Sequence, residues 1–323
     1  MWAVMSPSLR LAPLSITILS ALAVGCLSDT SSTEDDLGPE PVPSTPDRNF
    51  ESRVYERNIV FMTTGRDSAI IVPWFFTAHS RPGGVTREVR GWLARSEEWE
   101  PFFQDRWEGP ATRAAFRILP RAAMRLLMGD GDALEAILYE EGAQQLDVMI
   151  DEPVADWSGA RGEVFRVHDG SMLLGGQPVN GRLLDVNRAH RPGAVPPGDW
   201  IFLEGGPSVT VVLEAPAGLP PGSTPHIGWA RVGNDELRWP RVDVEWTETR
   251  TFEPARRDVP IAWLITSSDG TLEGTLSSAA MQLTATDGDG PILPVDGLYQ
   301  VRGRLTLDGD AYDVRGVLRH IQP

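Results

Sequence analysis

Seven short apolar runs, at positions 59–62, 69–76, 88–93, 146–150, 162–167, 200–203 and 209–213, are separated by turns rich in Gly, Pro and Asp. Runs this short, rich in Val, Ile and aromatic residues, select β-strands over helices. The clearest local signal is 298–322. Tyr299, Val301, Leu305 and Leu307 alternate along one strand, and Tyr312, Val314, Leu318 and His320 alternate along the return. Between them Asp308-Gly309 offers the positive φ that a tight hairpin needs. Gly303 and Gly316 interrupt the two strands where a sheet must bend or pack closely. Repeated strands without long alternating helices imply an all-β sandwich or barrel.

Two stretches break this pattern. Within 114–141, Met124, Leu127 and Met128, then Leu134, Ile137 and Leu138, recur at helical spacing, so one or two short helices are expected there. Gly176 to Gly198, with Pro178, Pro192, Pro196 and Pro197, reads as a long loop. A Pro/Gly cluster over 218–225 marks the expected boundary between two lobes. The chain therefore divides into an export signal at 1–25, a tether at 26–50, one lobe at 51–220 and a second at 221–323.

The beginning of the chain specifies where the rest is delivered. Arg10 supplies a positive charge, 11–24 an apolar core too short to span a bilayer, and Ala23-Val24-Gly25 the small residues a signal peptidase requires. Ala23-Val24-Gly25-Cys26 resembles the lipobox of bacterial lipoproteins, in which cleavage precedes a cysteine that is then acylated. Leu27 rather than Asp follows it, which by that resemblance favours the outer membrane of a Gram-negative envelope. The competing reading is an ordinary secretory signal with a chance cysteine. The acidic, Pro-rich stretch 28–49 has no hydrophobic period and reads as a tether.

Cys26 is the single cysteine in 323 residues, so with it lipidated no thiol remains for disulfides, zinc or nucleophilic catalysis. All 29 cationic side chains are Arg, which excludes lysine Schiff-base and phosphate-loop chemistry. A formal net charge of −16 disfavours nucleic acid. His168, His190 and His226 show no metal-ligand spacing. Neither a cofactor nor a metal is expected, and the spacing is silent on oligomeric state.

Trp74-Phe75-Phe76-Thr77-Ala78-His79 resembles the W-Y-F-T-G-H segment of the lipocalin-like family that includes bacterial carotenoid hydratases (hydroxyneurosporene synthase) and AttH-type proteins. Asp243-Val244-Glu245-Trp246 is similar to that family's D-H-E-W motif, and Val259-Pro260-Ile261-Ala262-Trp263 to its Y-P-x-x-W. The closing hairpin resembles its final strands. The resemblance implies two packed lipocalin-like β-barrels or partial barrels with a few short helices, and a site for apolar isoprenoid or polyketide-like molecules. Some positions depart from the pattern. Val72 and Pro73 stand where the family has Glu and Trp, Val244 replaces His, and Val259 replaces Tyr. The proton-transfer motif is thus degraded while the scaffold motifs survive.

The candidate residues follow. Arg241, Asp243, Glu245 and Thr247 share one strand face, and Val242, Val244 and Trp246 the other. Either the charged face meets water, or Asp243 and Glu245 enter a lumen where burial raises a carboxyl pKa and suits it to protonating an alkene. Trp74, Phe76, His79, Trp246, Trp263 and His320 are the expected ligand contacts. Most of the tryptophans at 92, 99, 107, 157, 200, 229, 239, 246 and 263 fit a core or barrel plug better than an exposed platform for glycans or envelope partners. Three functions stand: a lipid-anchored envelope protein binding an apolar small molecule, a hydratase or isomerase using Asp243 as acid, and an envelope protein acting by protein or glycan contact. The first ranks highest.

Overall fold

The structure is a computed structural model that describes residues 52–64, 70–112, 115, 123–129, 133–142, 144–159, 162–174, 176–193, 198–215, 223–286 and 290–323. The signal, Cys26 and the tether lie outside the described residues. Nine strands, β1 (Arg53–Thr63), β2 (Ile71–Arg81), β3 (Gly84–Arg95), β4 (Glu98–Gly109), β5 (Met124–Met128), β6 (Leu134–Glu141), β7 (Gln144–Ser158), β8 (Val164–Leu174) and β9 (Gln177–His190), make one antiparallel sheet. Its order is β4-β3-β2-β1-β9-β8-β7-β6-β5. Two meanders thus meet where the first strand pairs with the ninth. The wings curl toward each other: Tyr139 on β6 donates its hydroxyl to the Phe102 carbonyl on β4 at 2.9 Å. The enclosed face carries Ile59, Phe61, Trp74, Phe76, Tyr139 and Leu183.

The second lobe is a closed antiparallel barrel of β10 (Trp200–Glu204), β11 (Val209–Glu214), β12 (Ser223–Val232), β13 (Asp235–Phe252), β14 (Arg257–Ser267), β15 (Leu272–Ala285), β16 (Val295–Leu307) and β17 (Asp310–Gln322). Closure leaves no unpaired edge for another chain to extend. Its interior is filled from every strand, for example by Leu203, Val211, Val242, Ile265, Val301 and Leu318. The β16–β17 turn is the tight one expected, with Asp308 at φ 50° and Gly309 at φ 92°. A Cβ at Gly303 would collide with the Thr275 carbonyl, and one at Gly316 with that of Phe202, so both glycines permit close strand approach.

The lobes pack through an aromatic seam. Trp200 and Phe202, which face out of the barrel, meet Val60, Met62 and Phe75 of the open sheet. Phe75 and Trp200 contact edge-on at 6.3 Å, and the Arg319 guanidinium lies 4.7 Å from the Phe75 ring centre. Fully burying each such side chain contributes about 1.5–3 kcal/mol. Further along the seam Glu204 is buried, accepts from the Thr210 hydroxyl at 2.8 Å and lies 4.0 Å from Arg182. Its burial outweighs these partners and pushes its carboxyl up to about 8.

The described parts of the seven apolar runs fall on β1, β2, β3, β7, β8, β10 and β11. Three sequence expectations are corrected. The helical spacing in 114–141 belongs to β5 and β6, where a bulge inserts Glu135 between Leu134 and Ala136, so that Leu134 and Ile137 face inward three residues apart. Most of the 176–198 loop is β9, whose charges Arg182, Asp185 and Arg188 look solvated in sequence but are buried beside partners. The barrel begins at Trp200, and the described part of the 218–225 cluster, 223–225, opens β12 of that same barrel, so the cluster does not mark the lobe boundary. Among the described residues the helical element is a single 3-10 turn, Glu253–Ala255.

Candidate functional site

At one end of the barrel the apolar filling gives way to polar groups. Strands β13 to β17 run past the ends of the five-residue β10 and six-residue β11, and Asp199 sits immediately before β10 at that low part of the wall. Alternation on β17 carries Val314, Leu318 and then His320 to the inside. Trp246 and Trp263 are direct partners on β13 and β14, on the inward face that also holds Val244 and Ile265. The Trp246 and His320 rings meet edge-on at 5.2 Å, and Trp263 meets Tyr299 edge-on at 5.4 Å. Gly297 lies directly opposite His320, and a Cβ there would strike the Tyr299 ring. The missing side chain lets Tyr299 lean over the position facing His320.

Asp199 organises the polar groups. Its Oδ2 lies 2.6 Å from His320 Nδ1, and its Oδ1 accepts from the Ile321 backbone N–H at 2.9 Å. Burial alone would raise this carboxyl, but the neighbouring His320, the Ile321 N–H and nearby His226 together hold it below the usual carboxylate range. An ionised Asp199 can only accept, so His320 donates from Nδ1, and in its neutral form the ring presents the lone pair of Nε2. That Nε2 and the Tyr299 hydroxyl are buried with no hydrogen-bond partner. Burial, and then the charge of Asp199, push Tyr299 upward, so its hydroxyl stays protonated and can donate. His226, 2% exposed, faces the same interior opposite Val242. Among the described residues no group of three or more His, Cys, Asp or Glu is arranged to hold a metal.

The expected site residues separate into four places. Trp246, Trp263 and His320 come together in the barrel. Trp74 and Phe76 lie on the enclosed face of the open sheet, where Trp74 Nε1 is buried without a partner. His79 is exposed and stands apart from both. Asp243 and Glu245 are on the outer face of β13: Asp243 is ion-paired to Arg241 at 2.9 Å and Glu245 is exposed. The lumenal reading of these carboxylates fails because strand alternation commits Val242 and Val244 to the interior. Asp199 was missed, since it lies 121 residues from His320, in the gap between a Pro-rich stretch read as loop and the run that starts at Trp200. Tyr299 had a usable signal in its alternation, which pairs it with Leu318 on the His320 face.

An eight-stranded closed barrel beside a curled nine-stranded half-barrel defines the lipocalin-like class to which the sequence motifs pointed. No family profile matches the chain, and no curated protein matches it in sequence. Solved structures do match. Kievitone hydratase from Nectria haematococca is similar with a TM-score of 0.52 at 14% identity, over 84% of this chain and 89% of that one. An AttH-type protein from Nitrosomonas europaea is similar with a TM-score of 0.56 at 12% identity, over 84% of this chain and 92% of that one. The chain therefore has the lipocalin-like fold of the carotenoid-hydratase and AttH-type proteins.

Proposed function

We propose that the His320 end of the barrel binds an apolar small molecule, isoprenoid or lipid-like, that carries one hydroxyl. The observation behind this reading is the pair of buried, unpartnered atoms, His320 Nε2 and the Tyr299 hydroxyl, set among Trp246, Trp263 and aliphatic side chains. Leaving such a group unsatisfied costs about 1–3 kcal/mol, and a ligand hydroxyl offers both what is wanted: a proton for Nε2 and a lone pair for Tyr299. The apolar wall supplies affinity and the polar pair supplies orientation, the usual division of labour in a small-molecule site. The glycan-platform alternative has less support, because none of the nine tryptophans from Trp92 to Trp263 weighed for it is exposed.

Displacement of a fluorescent naphthylamine probe by farnesol and by farnesyl methyl ether tests the reading. Farnesol, which donates and accepts, is expected to bind at least about tenfold better than the ether, and His320→Leu to erase that difference. Equal binding of the two by the native protein contradicts it.

The same reading includes a membrane anchor. Two acyl chains on Cys26 would suffice, each buried CH₂ contributing about 0.8 kcal/mol, and 28–49 would hold the lobes off the outer membrane. The support is the lipobox resemblance. Among the described residues no helix is long and apolar enough to cross a membrane. Cys26→Ser is expected to move the folded protein from the membrane fraction to the soluble one, and retention of the variant on membranes contradicts the anchor.

A further inference from the structure

We infer that His320, oriented by Asp199, is a catalytic base that moves a proton on the carbon next to a ligand's carbonyl, with Tyr299 hydrogen-bonded to that carbonyl oxygen. This rests on the barrel-end binding reading and adds a reaction to it.

A purely structural His–Asp pair would need little. Tying the start of β10 to β17 requires only the contacts Asp199 already makes, to His320 Nδ1 at 2.6 Å and to the Ile321 N–H at 2.9 Å. It does not require the other ring nitrogen to be buried and partnerless in a ring that meets Trp246 edge-on, nor a second partnerless donor among the same inward-facing aromatics. Yet Tyr299 is brought there by a glycine, Gly297, opposite His320. One base and one hydroxyl donor, in an apolar setting where neither competes with water, are the parts that enolisation uses.

The step balances without a co-reactant. Nε2 takes a proton from the carbon adjacent to the carbonyl, and the C–H electron pair becomes the new C=C bond. The carbonyl π pair moves to oxygen, where the Tyr299 O–H stabilises the enolate. The imidazolium formed is stabilised by the Asp199 carboxylate, and it returns the proton to the same carbon or to a conjugated one. When the imidazolium exchanges that proton with solvent water before returning one, the outcome in a simple ketone is hydrogen exchange with water; return to a conjugated carbon gives a double-bond shift in an unsaturated one. Asp199 touches no substrate and is a positioning residue. It fixes the ring and the tautomer.

Geranylacetone, an isoprenoid methyl ketone, is a suitable probe. Proton NMR in D₂O follows loss of the signals next to its carbonyl, calorimetry gives its affinity, and circular dichroism melts confirm that each variant is folded. The native protein is expected to accelerate exchange at least about 100-fold over equimolar imidazole. His320→Gln is expected to return it to the imidazole rate with ketone binding changed less than about threefold, and Tyr299→Phe, which loses the hydrogen bond to the carbonyl, to slow exchange about tenfold while weakening binding by less than that. Asp199→Asn is expected to lower kcat for exchange at least about tenfold with KM nearly unchanged, a split that a merely structural clamp would not show. Binding without accelerated exchange, or full exchange in His320→Gln, overturns the inference while leaving the binding reading intact. Failure of both geranylacetone and farnesol to bind overturns both together.

Discussion

Two buried carboxylates with their partners, one in each lobe, do opposite things with their hydrogen-bonding capacity. In the open sheet, Arg57 donates from Nε and Nη2 to the two oxygens of Asp185 at 2.8 and 2.6 Å, and Asn187 donates to the same carboxylate at 3.2 Å. That pair closes on itself. In the barrel, Asp199 is satisfied by His320 and Ile321, but the outward nitrogen of His320 is left for something else. A self-satisfied pair tells of structure, and an oriented pair with a spare atom tells of a ligand. Burial alone does not separate them, since Asp185 is 1% exposed and His320 7%.

The comparison is sharpest if the closed pair is broken. Asp185→Ala leaves the Arg57 guanidinium buried without its counterion, and is expected to cost about 3–5 kcal/mol of stability in urea denaturation. His320→Gln leaves Asp199 its backbone donor and is expected to cost clearly less. Equal losses would show that the two pairs are structurally equivalent.

The seam between the lobes gives a second, pH-dependent contrast. Burial raises Glu204 from an unfolded value near 4.5 to about 8. Through that window the folded protein holds a proton that the unfolded chain has released, so this contribution is greatest below the unfolded value and is lost as pH rises toward the folded one. At about 1.4 kcal/mol per pH unit, the rise from 4.5 to about 8, which already includes the opposition of Arg182 and Thr210, corresponds to a loss on the order of 5 kcal/mol. Urea midpoints at pH 5 and pH 8 are expected to differ more for the native protein than for Glu204→Gln. An identical pH dependence in the variant removes the buried acid from the account.

The smallest effect belongs to the exposed pair. Arg241 and Asp243 are 60% and 31% exposed, so Asp243→Asn is expected to change stability by less than about 0.5 kcal/mol and farnesol affinity not at all. A variant that lost binding would return the site to β13's outer face.

These contrasts also mark how far the sequence could be read. Asp308-Gly309 and the alternation around it are local, and both the hairpin and the inward turn of His320 were legible. Val242 and Val244 were legible too, and strict alternation places Asp243 outside, even though the D-H-E-W resemblance drew attention to it. The bulge at Glu135 hid two strands by turning a period of two into a spacing of three. β9 was obscured because Arg182 and Asp185 are polar in sequence yet ion-paired and buried in the fold. The Asp199–His320 contact joins residues 121 apart, and no local pattern encodes it.

The central claim is that the barrel end, not the half-barrel beside Trp74, holds the ligand. A crystal structure of the protein with farnesol tests it most directly. The account expects the alcohol oxygen about 3 Å from both His320 Nε2 and the Tyr299 hydroxyl, with the chain against Trp246 and Trp263. Farnesol lodged against Trp74 and Phe76, with His320 Nε2 still unpartnered, would contradict it.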